Sequence, residues 1–240
     1  MNCKLRARNC GGCPMLGMDY AAQLKQKEEK VRAMLGGYGP VYPIRGMEIP
    51  YHYRNKVIST FTTGWGGSLT SGIYAAGSHK VLPVERCLLQ DEVLDTVMQA
   101  VRAAAAVCRY QPYNEEKGTG LLRHCLLRRG VVTGQVMVVL VTAQPVLPGA
   151  RNFVKALLTE AEKRQVPVTT VVQNYNPRRT SVVLGEQEKV LYGKGFILDT
   201  LCGRTYALSP RSFYQINHSQ TEVLYGLAVE AAGLTGREVV

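Results

Sequence analysis

Apolar and polar positions change their spacing several times along the chain, and each change predicts an element. From Asp19, a helical recurrence of Ala22, Leu24, Val31 and Leu35 predicts a helix over residues 19–35, capped by Asp19 and stopped by Gly36-Gly37. Residues 51–63 alternate instead and predict a strand, with His52, Arg54 and Lys56 on one face and Tyr53, Val57 and Phe61 on the other. A glycine-rich turn over 64–72 carries the only tryptophan, Trp65, and short strands are expected near 73–74 and 81–84. Residues 91–108 read as a helix capped by Gln90 or Asp91, with an alanine-rich second half. The runs 121–128 and 135–142 form a hairpin pattern turning at 129–134. Pro148-Gly149 introduces a helix over 151–165, and 168–174 reads as a buried strand ending in the turn Asn176-Pro177-Arg178-Arg179. Four short apolar runs, 180–184, 189–191, 196–198 and 205–208, suggest an antiparallel meander. His218-Ser219 opens a helix to about residue 232, broken by Leu234-Thr235-Gly236, and Glu238-Val239-Val240 resembles the first residues of another strand. The pattern is α+β, a central mixed or antiparallel sheet with helices.

Composition narrows the class. A chain of 240 residues, 46% of them hydrophobic, can bury a substantial core in one large domain or two small ones. No apolar run is long enough for a transmembrane helix, and the N-terminus lacks a charged-then-apolar signal pattern, so a cytoplasmic protein is expected, without membrane contact and monomeric. Lys and Arg number 29 against 18 acids, and the net charge of +11 favours a polyanionic partner, most simply nucleic acid. The basic stripe His52, Arg54, Lys56 is spaced like successive phosphates or base edges, and it would equally protect an edge strand. Arg123, His124, Arg128 and Arg129 make a second basic cluster, whereas Lys25, Lys27, Lys30 and Arg32 read as a solvated helix face.

Three of the seven cysteines, Cys3, Cys10 and Cys13, fall within the first thirteen residues. Cys10-Gly11-Gly12-Cys13 places two thiolates on one tight turn, which suits a metal ion or an iron–sulfur cluster; from spacing alone zinc and iron–sulfur are equally compatible. A redox pair would sit between a strand and a helix instead. An odd cysteine count without a secretory segment argues against a disulfide framework. A fourth ligand must come from elsewhere. Cys87 lies where an apolar run meets Glu85-Arg86 and is the best candidate, while Cys108, Cys125 and Cys202 read as buried small hydrophobes.

Taken in order, several stretches carry a family resemblance: Cys3 with Cys10-Gly11-Gly12-Cys13, Tyr53-Arg54-Asn55-Lys56, Ser78-His79 through Cys87, Gly120-Leu121-Leu122-Arg123-His124, Val171-Val172-Gln173-Asn174, and Ser209-Pro210-Arg211-Ser212-Phe213-Tyr214-Gln215-Ile216-Asn217. The chain resembles the iron–sulfur-containing RNA uracil-5 methyltransferases, an S-adenosylmethionine-dependent family acting on bacterial ribosomal RNA. The resemblance spans nearly all of the sequence and is most specific in its last stretch. The gap from Cys3 to Cys10 is one residue longer than the family pattern, and the small RNA-binding β-barrel found at the N-terminus of relatives is missing. The resemblance implies a [4Fe–4S] cluster on Cys3, Cys10, Cys13 and Cys87, a contact of Gln215 with S-adenosylmethionine, and RNA contacts from His52, Arg54, Lys56, Arg123 and His124, with 23S ribosomal RNA as the partner.

The family chemistry is covalent: a cysteine thiolate adds to C6 of uracil, the enolate takes the methyl group at C5, a base removes the C5 proton, and the cysteine leaves. In relatives the nucleophile and the glycine-rich donor loop lie in the methyltransferase domain, so the expectation is that they fall past Val240, that no catalytic residue is present, and that the chain alone is inactive. The implied organisation is a cysteine-rich segment over 1–18, a central α+β RNA-binding domain over 19–204, and the truncated start of a Rossmann-like methyltransferase domain over 205–240. A stand-alone nucleic-acid-binding module with structural zinc and a small electron carrier are the alternatives from other classes.

Overall fold

The computed structural model describes residues 3–233 and Gly236. The expected strand at Glu238-Val239-Val240 lies outside these residues.

The first helix, α1 (Tyr20–Leu35), begins where predicted, because the Asp19 carboxylate accepts a hydrogen bond from the Ala21 N–H. A seven-stranded sheet follows, built from β1 (Lys56–Thr63), β2 (Leu69–Tyr74), β3 (Val81–Pro83), β4 (Leu122–Arg129), β5 (Val136–Thr142), β6 (Thr170–Tyr175) and β7 (Gln187–Tyr192). The spatial order is β3-β2-β1-β4-β5-β6-β7. Every pairing is antiparallel except β5 with β6, which are joined through α3 (Ala150–Lys163). The α+β, mixed-sheet expectation holds.

One face of the sheet is covered by α3 and by α2 (Glu92–Val107), whose N-cap Asp91 accepts from Val93 N–H. Leu94, Val97, Val101, Phe153 and Leu157 from these helices pack on Val57, Phe61, Leu122, Leu127 and Val138. Each such fully buried side chain contributes about 1.5–3 kcal/mol relative to exposure. A separate hairpin, β8 (Ile197–Leu201) with β9 (Arg204–Leu208), closes the other face over β4, β5 and β6, where Ile197, Leu201, Leu208 and Tyr214 meet Leu126, Met137, Val139 and Val172. Covering on both faces explains why all seven residues of β5 are buried and why its sequence is a continuous apolar run. The last helix is α4 (His218–Ala232), capped by Asn217 and ended by Gly233 in the left-handed conformation.

Three expectations require correction. Residues 51–55 are not part of β1; His52 takes a left-handed backbone (φ 54°), which breaks the alternation before Lys56. The four late runs are not one meander: β7 extends the main sheet, β8 and β9 pair only with each other, and residues 180–184 form no strand. Cys202 is an exposed turn residue (φ 49°) between β8 and β9, not a buried hydrophobe.

Candidate functional site

The cysteine-bearing segment is tied to the sheet by few contacts. A single turn of 3-10 helix, Arg6–Arg8, follows the buried side chain of Leu5. Asn9 then adopts a left-handed backbone, its carbonyl accepts from Ala76 N–H (3.0 Å), and Cys10 bridges Ala75 just past the end of β2. Gly11 presses against Ala76, where an added Cβ would stand 3.1 Å from the alanine methyl. The turn therefore sits on the β2–β3 connection, and the chain from β3 into α2 brings Cys87 to the same place.

The four sequence-predicted ligands are neighbours. Burial raises the pKa of the Cys13 thiol, and thiolate charge on Cys87, Cys10 and Cys3 raises it further, while Arg54 opposes the shift. Burial also raises the Cys87 pKa, against two backbone N–H groups, those of Leu89 and Gln90, that donate to its sulfur. The Cys87 N–H in turn donates to the Asp95 carboxylate (2.8 Å), whose pKa burial lifts to about 6. Among the described residues no three His, Cys, Asp or Glu side chains are drawn together as tightly as a bound ion would hold them. The thiols thus form a loose group within electrostatic reach, not a closed ligand cage.

Residues 52–55 connect this group to the stretch before α4. His52 N–H donates to Leu88 O (2.8 Å) and Arg54 N–H to Leu89 O (2.9 Å), beside Cys87. The next residue faces the other way: Asn55 N–H donates to Ile216 O (3.1 Å) and its side-chain amide to Gln215 O (3.0 Å). Asn55 is buried and accepts from Arg129 N–H through its carbonyl. Gln215, the residue that the resemblance ties to the methyl donor, is thereby fixed by its backbone, two residues before Asn217, which bridges Arg54. Sequence patterning assigns no role to Asn55 or Asp95. Asn55 lies in the quoted Tyr53-Arg54-Asn55-Lys56 stretch; Asp95 carries no signal beyond being an acid on a buried helix face.

The basic residues do not share one surface. His52 turns its Nδ1 to Gln90 O (2.9 Å). Lys56 is half-buried opposite Arg128, and burial, Arg128 and Arg54 together lower its pKa. Arg123 is 3% exposed, donates to Asn176 O (2.8 Å) and Arg178 O, pairs with Glu115 (3.3 Å) and lies over the Tyr113 ring (5.3 Å to the centroid). Both Nη groups are engaged and the Nε is buried without a partner, so the side chain that was expected to contact RNA presents almost no surface to it. His124 is 7% exposed, pairs through Nδ1 with Thr60 Oγ1 (3.1 Å), and burial lowers its pKa to about 4, leaving a neutral ring poorly suited to a phosphate. Arg128 is also interior, donating to Ser212 O (2.7 Å). Of the remaining thiols, Cys125 is fully buried with its pKa strongly raised, and burial raises Cys108 as well.

No protein-family model matches the chain. It is 40% identical over 96% of its length to a Bacillus cereus protein named an uncharacterized RNA methyltransferase. A Halalkalibacterium halodurans protein of the same name is 41% identical over 96% of the chain, and one from Caldanaerobacter subterraneus 38% over 98%. The chain spans about half the length of these relatives (50%, 50% and 52%). Among solved structures it superposes on the Pyrococcus abyssi tRNA (uracil-54, C5)-methyltransferase in complex with S-adenosyl-L-homocysteine, with a TM-score of 0.71, 23% identity, and coverage of 92% of this chain and 50% of that one. That superposition establishes a shared fold. Over nearly its whole length, then, the chain is similar to about half of each of several bacterial proteins named RNA methyltransferases.

Proposed function

We propose that this chain is part of an S-adenosylmethionine-dependent RNA methyltransferase that modifies C5 of uridine, with ribosomal RNA of the 23S type as substrate. The observation that carries the reading is sequence identity near 40% over 96% of the chain to proteins named RNA methyltransferases. The quoted motifs supply the finer assignment to uracil and to the iron–sulfur branch. Within the reading, Cys3, Cys10, Cys13 and Cys87 hold a [4Fe–4S] cluster. What supports it is the chemistry of the donors: Cys3, Cys10 and Cys87 lie within electrostatic reach of Cys13, N–H groups of Leu89 and Gln90 are aimed at the Cys87 sulfur, and the Arg54 charge near Cys13 would offset thiolate charge. When bound, such a cluster would supply a rigid cross-link between the N-terminal turn and the β3–α2 connection. Arg54, His52 and Lys56 contribute RNA contacts, and Gln215 contacts the methyl donor.

These 240 residues by themselves are proposed not to transfer methyl groups. Methyl transfer requires the donor carbon, C5 of uracil and a nucleophilic thiolate to be held in line. Neither Cys125 nor Cys108 meets the requirement of a lowered thiol pKa. The test uses labelled S-adenosylmethionine and unmodified ribosomal RNA with this chain and with a full-length relative. Label at C5 of uridine from the relative, and none from the chain, is expected; label transferred by the chain alone, or onto another atom by the relative, refutes the assignment. Iron and sulfide analysis of anaerobically purified protein separates the cluster from zinc, because a Cys87→Ser variant should lose bound iron.

A further inference from the structure

A cleft of ≈ 430 Å³ opens between α1 and residues 44–53, walled by Cys13 on one side and Asn217 on the other. Its lining is chemically selective. Tyr51 and Tyr53 present ring surface, Met15 and Met47 add polarizable sulfur, and Lys27 and Arg45 stand exposed at the edge. No Asp or Glu is among its lining residues, and neither Lys27 nor Arg45 enters an ion pair among the described residues. Neighbouring cations on the same helix behave differently: Lys25 pairs with Glu29 and Arg32 with Glu28. Lys27, like Lys30 on the same helix, and Arg45 are thus without an ion-pair partner among the described residues, and Lys27 and Arg45 line the same cleft as the tyrosines.

We propose that this cleft takes one unstacked base of a single-stranded RNA segment, stacked on its tyrosines, with the flanking backbone phosphates against Lys27 and Arg45. The proposal rests on the RNA-modifying function above and deepens it, placing a nucleotide-binding subsite outside the basic stripe. Volume, ring surface and charge agree. A volume in the range of small-molecule sites admits one nucleotide and excludes a duplex. Aromatic faces accept any base, and unpaired cations recruit phosphates. Position supports it too: the same cleft touches the cysteine turn and Asn217, next to the backbone that fixes Gln215. An RNA strand entering here runs past the proposed donor contact.

The test measures binding of a labelled eight-nucleotide single-stranded RNA by fluorescence anisotropy to this chain, to K27A/R45A and to Tyr51→Leu. Removing the ring should weaken binding about 5- to 150-fold, the range seen for loss of one base–aromatic stack. Removing the two cations should lower the slope of log affinity against log salt by about 1.4, about 0.7 for each phosphate contact on a single strand. Thermal melting checks that the variants fold. A crosslinking arm with unmutated protein and 4-thiouridine RNA does not depend on variant folding, and its crosslinks should fall within residues 12–53 or 217–220. If RNA binds with unchanged affinity and slope and crosslinks elsewhere, the cleft is not the site while the RNA reading stands. If the unmutated chain binds no RNA, both fall. If uridine monophosphate binds as tightly as the oligonucleotide, the cleft is a free-nucleotide site and the proposal is overturned.

Discussion

Replacing Arg123 by methionine should destabilise the fold and leave RNA affinity alone. Methionine keeps most of the aliphatic volume and removes the guanidinium. The lost interactions are unequal. Glu115 is about half exposed (48%), so its ion pair is screened and contributes little. The bonds to the carbonyls of Asn176 and Arg178 are charge-assisted and interior, and each is worth about 1.5–3 kcal/mol. Two such bonds, less about 1 kcal/mol for better burial of an apolar side chain, give a loss of about 2–5 kcal/mol. With a urea dependence of about 2–3 kcal/mol per molar for a chain of this size, the unfolding midpoint should fall by about 1–2 M. Amide exchange should accelerate first at residues 176–185, the loop that Arg123 holds down. A midpoint change below about 0.3 M, combined with weakened RNA binding, would refute this account and restore Arg123 as a surface contact.

Three further outcomes follow. His124 titrates near 4 in the fold against about 6.5 for a free ring, so the folded state binds fewer protons in that window; stability should be complete above about 6.5 and fall by up to about 3 kcal/mol as pH drops toward 4, a loss that His124→Gln should remove from the pH–stability curve. Gly72→Ala should impair folding severely, because the new methyl would stand 1.8 Å from Leu82 O across the β2–β3 pairing, and soluble yield with circular dichroism reports it. Asn55→Ala should leave the Gln215 carbonyl unpaired and cost about 1–3 kcal/mol, with exchange at 215–217 rising more than at β4.

Helices were legible wherever a capping side chain stood before an apolar stripe, as Asp19 and Asp91 do. The central strands were legible because burial on both faces demands unbroken apolar runs such as 136–142. What escaped depends on partners distant in sequence. Nothing local distinguishes the alternation of 51–55 from that of 56–63; His52 and Arg54 instead find their partners at Leu88 and Leu89. Arg123 and His124 suggested an exposed charged face, yet a register shift between Leu122 and His124 and the covering loop after β6 put both inside. The Cys10–Cys13 turn was readable from spacing, whereas Asp95 behind Cys87 was not, since an isolated acid on a helix has no pattern.

The way residues 52–55 are held has a consequence in time. Their partners on one side lie some thirty-five residues ahead, but Asn55 must wait for Gln215, 160 residues later in the chain. At a synthesis rate of roughly 5–20 residues per second, that wait is roughly 10–30 s on the ribosome. Throughout most of it the Cys10–Cys13 turn and Cys87 have already emerged, while the segment that locks against their neighbours does not yet exist. The nascent chain thus passes through a stage in which Cys3, Cys10, Cys13 and Cys87 have all been synthesised while the Asn55–Gln215 contact has not yet formed.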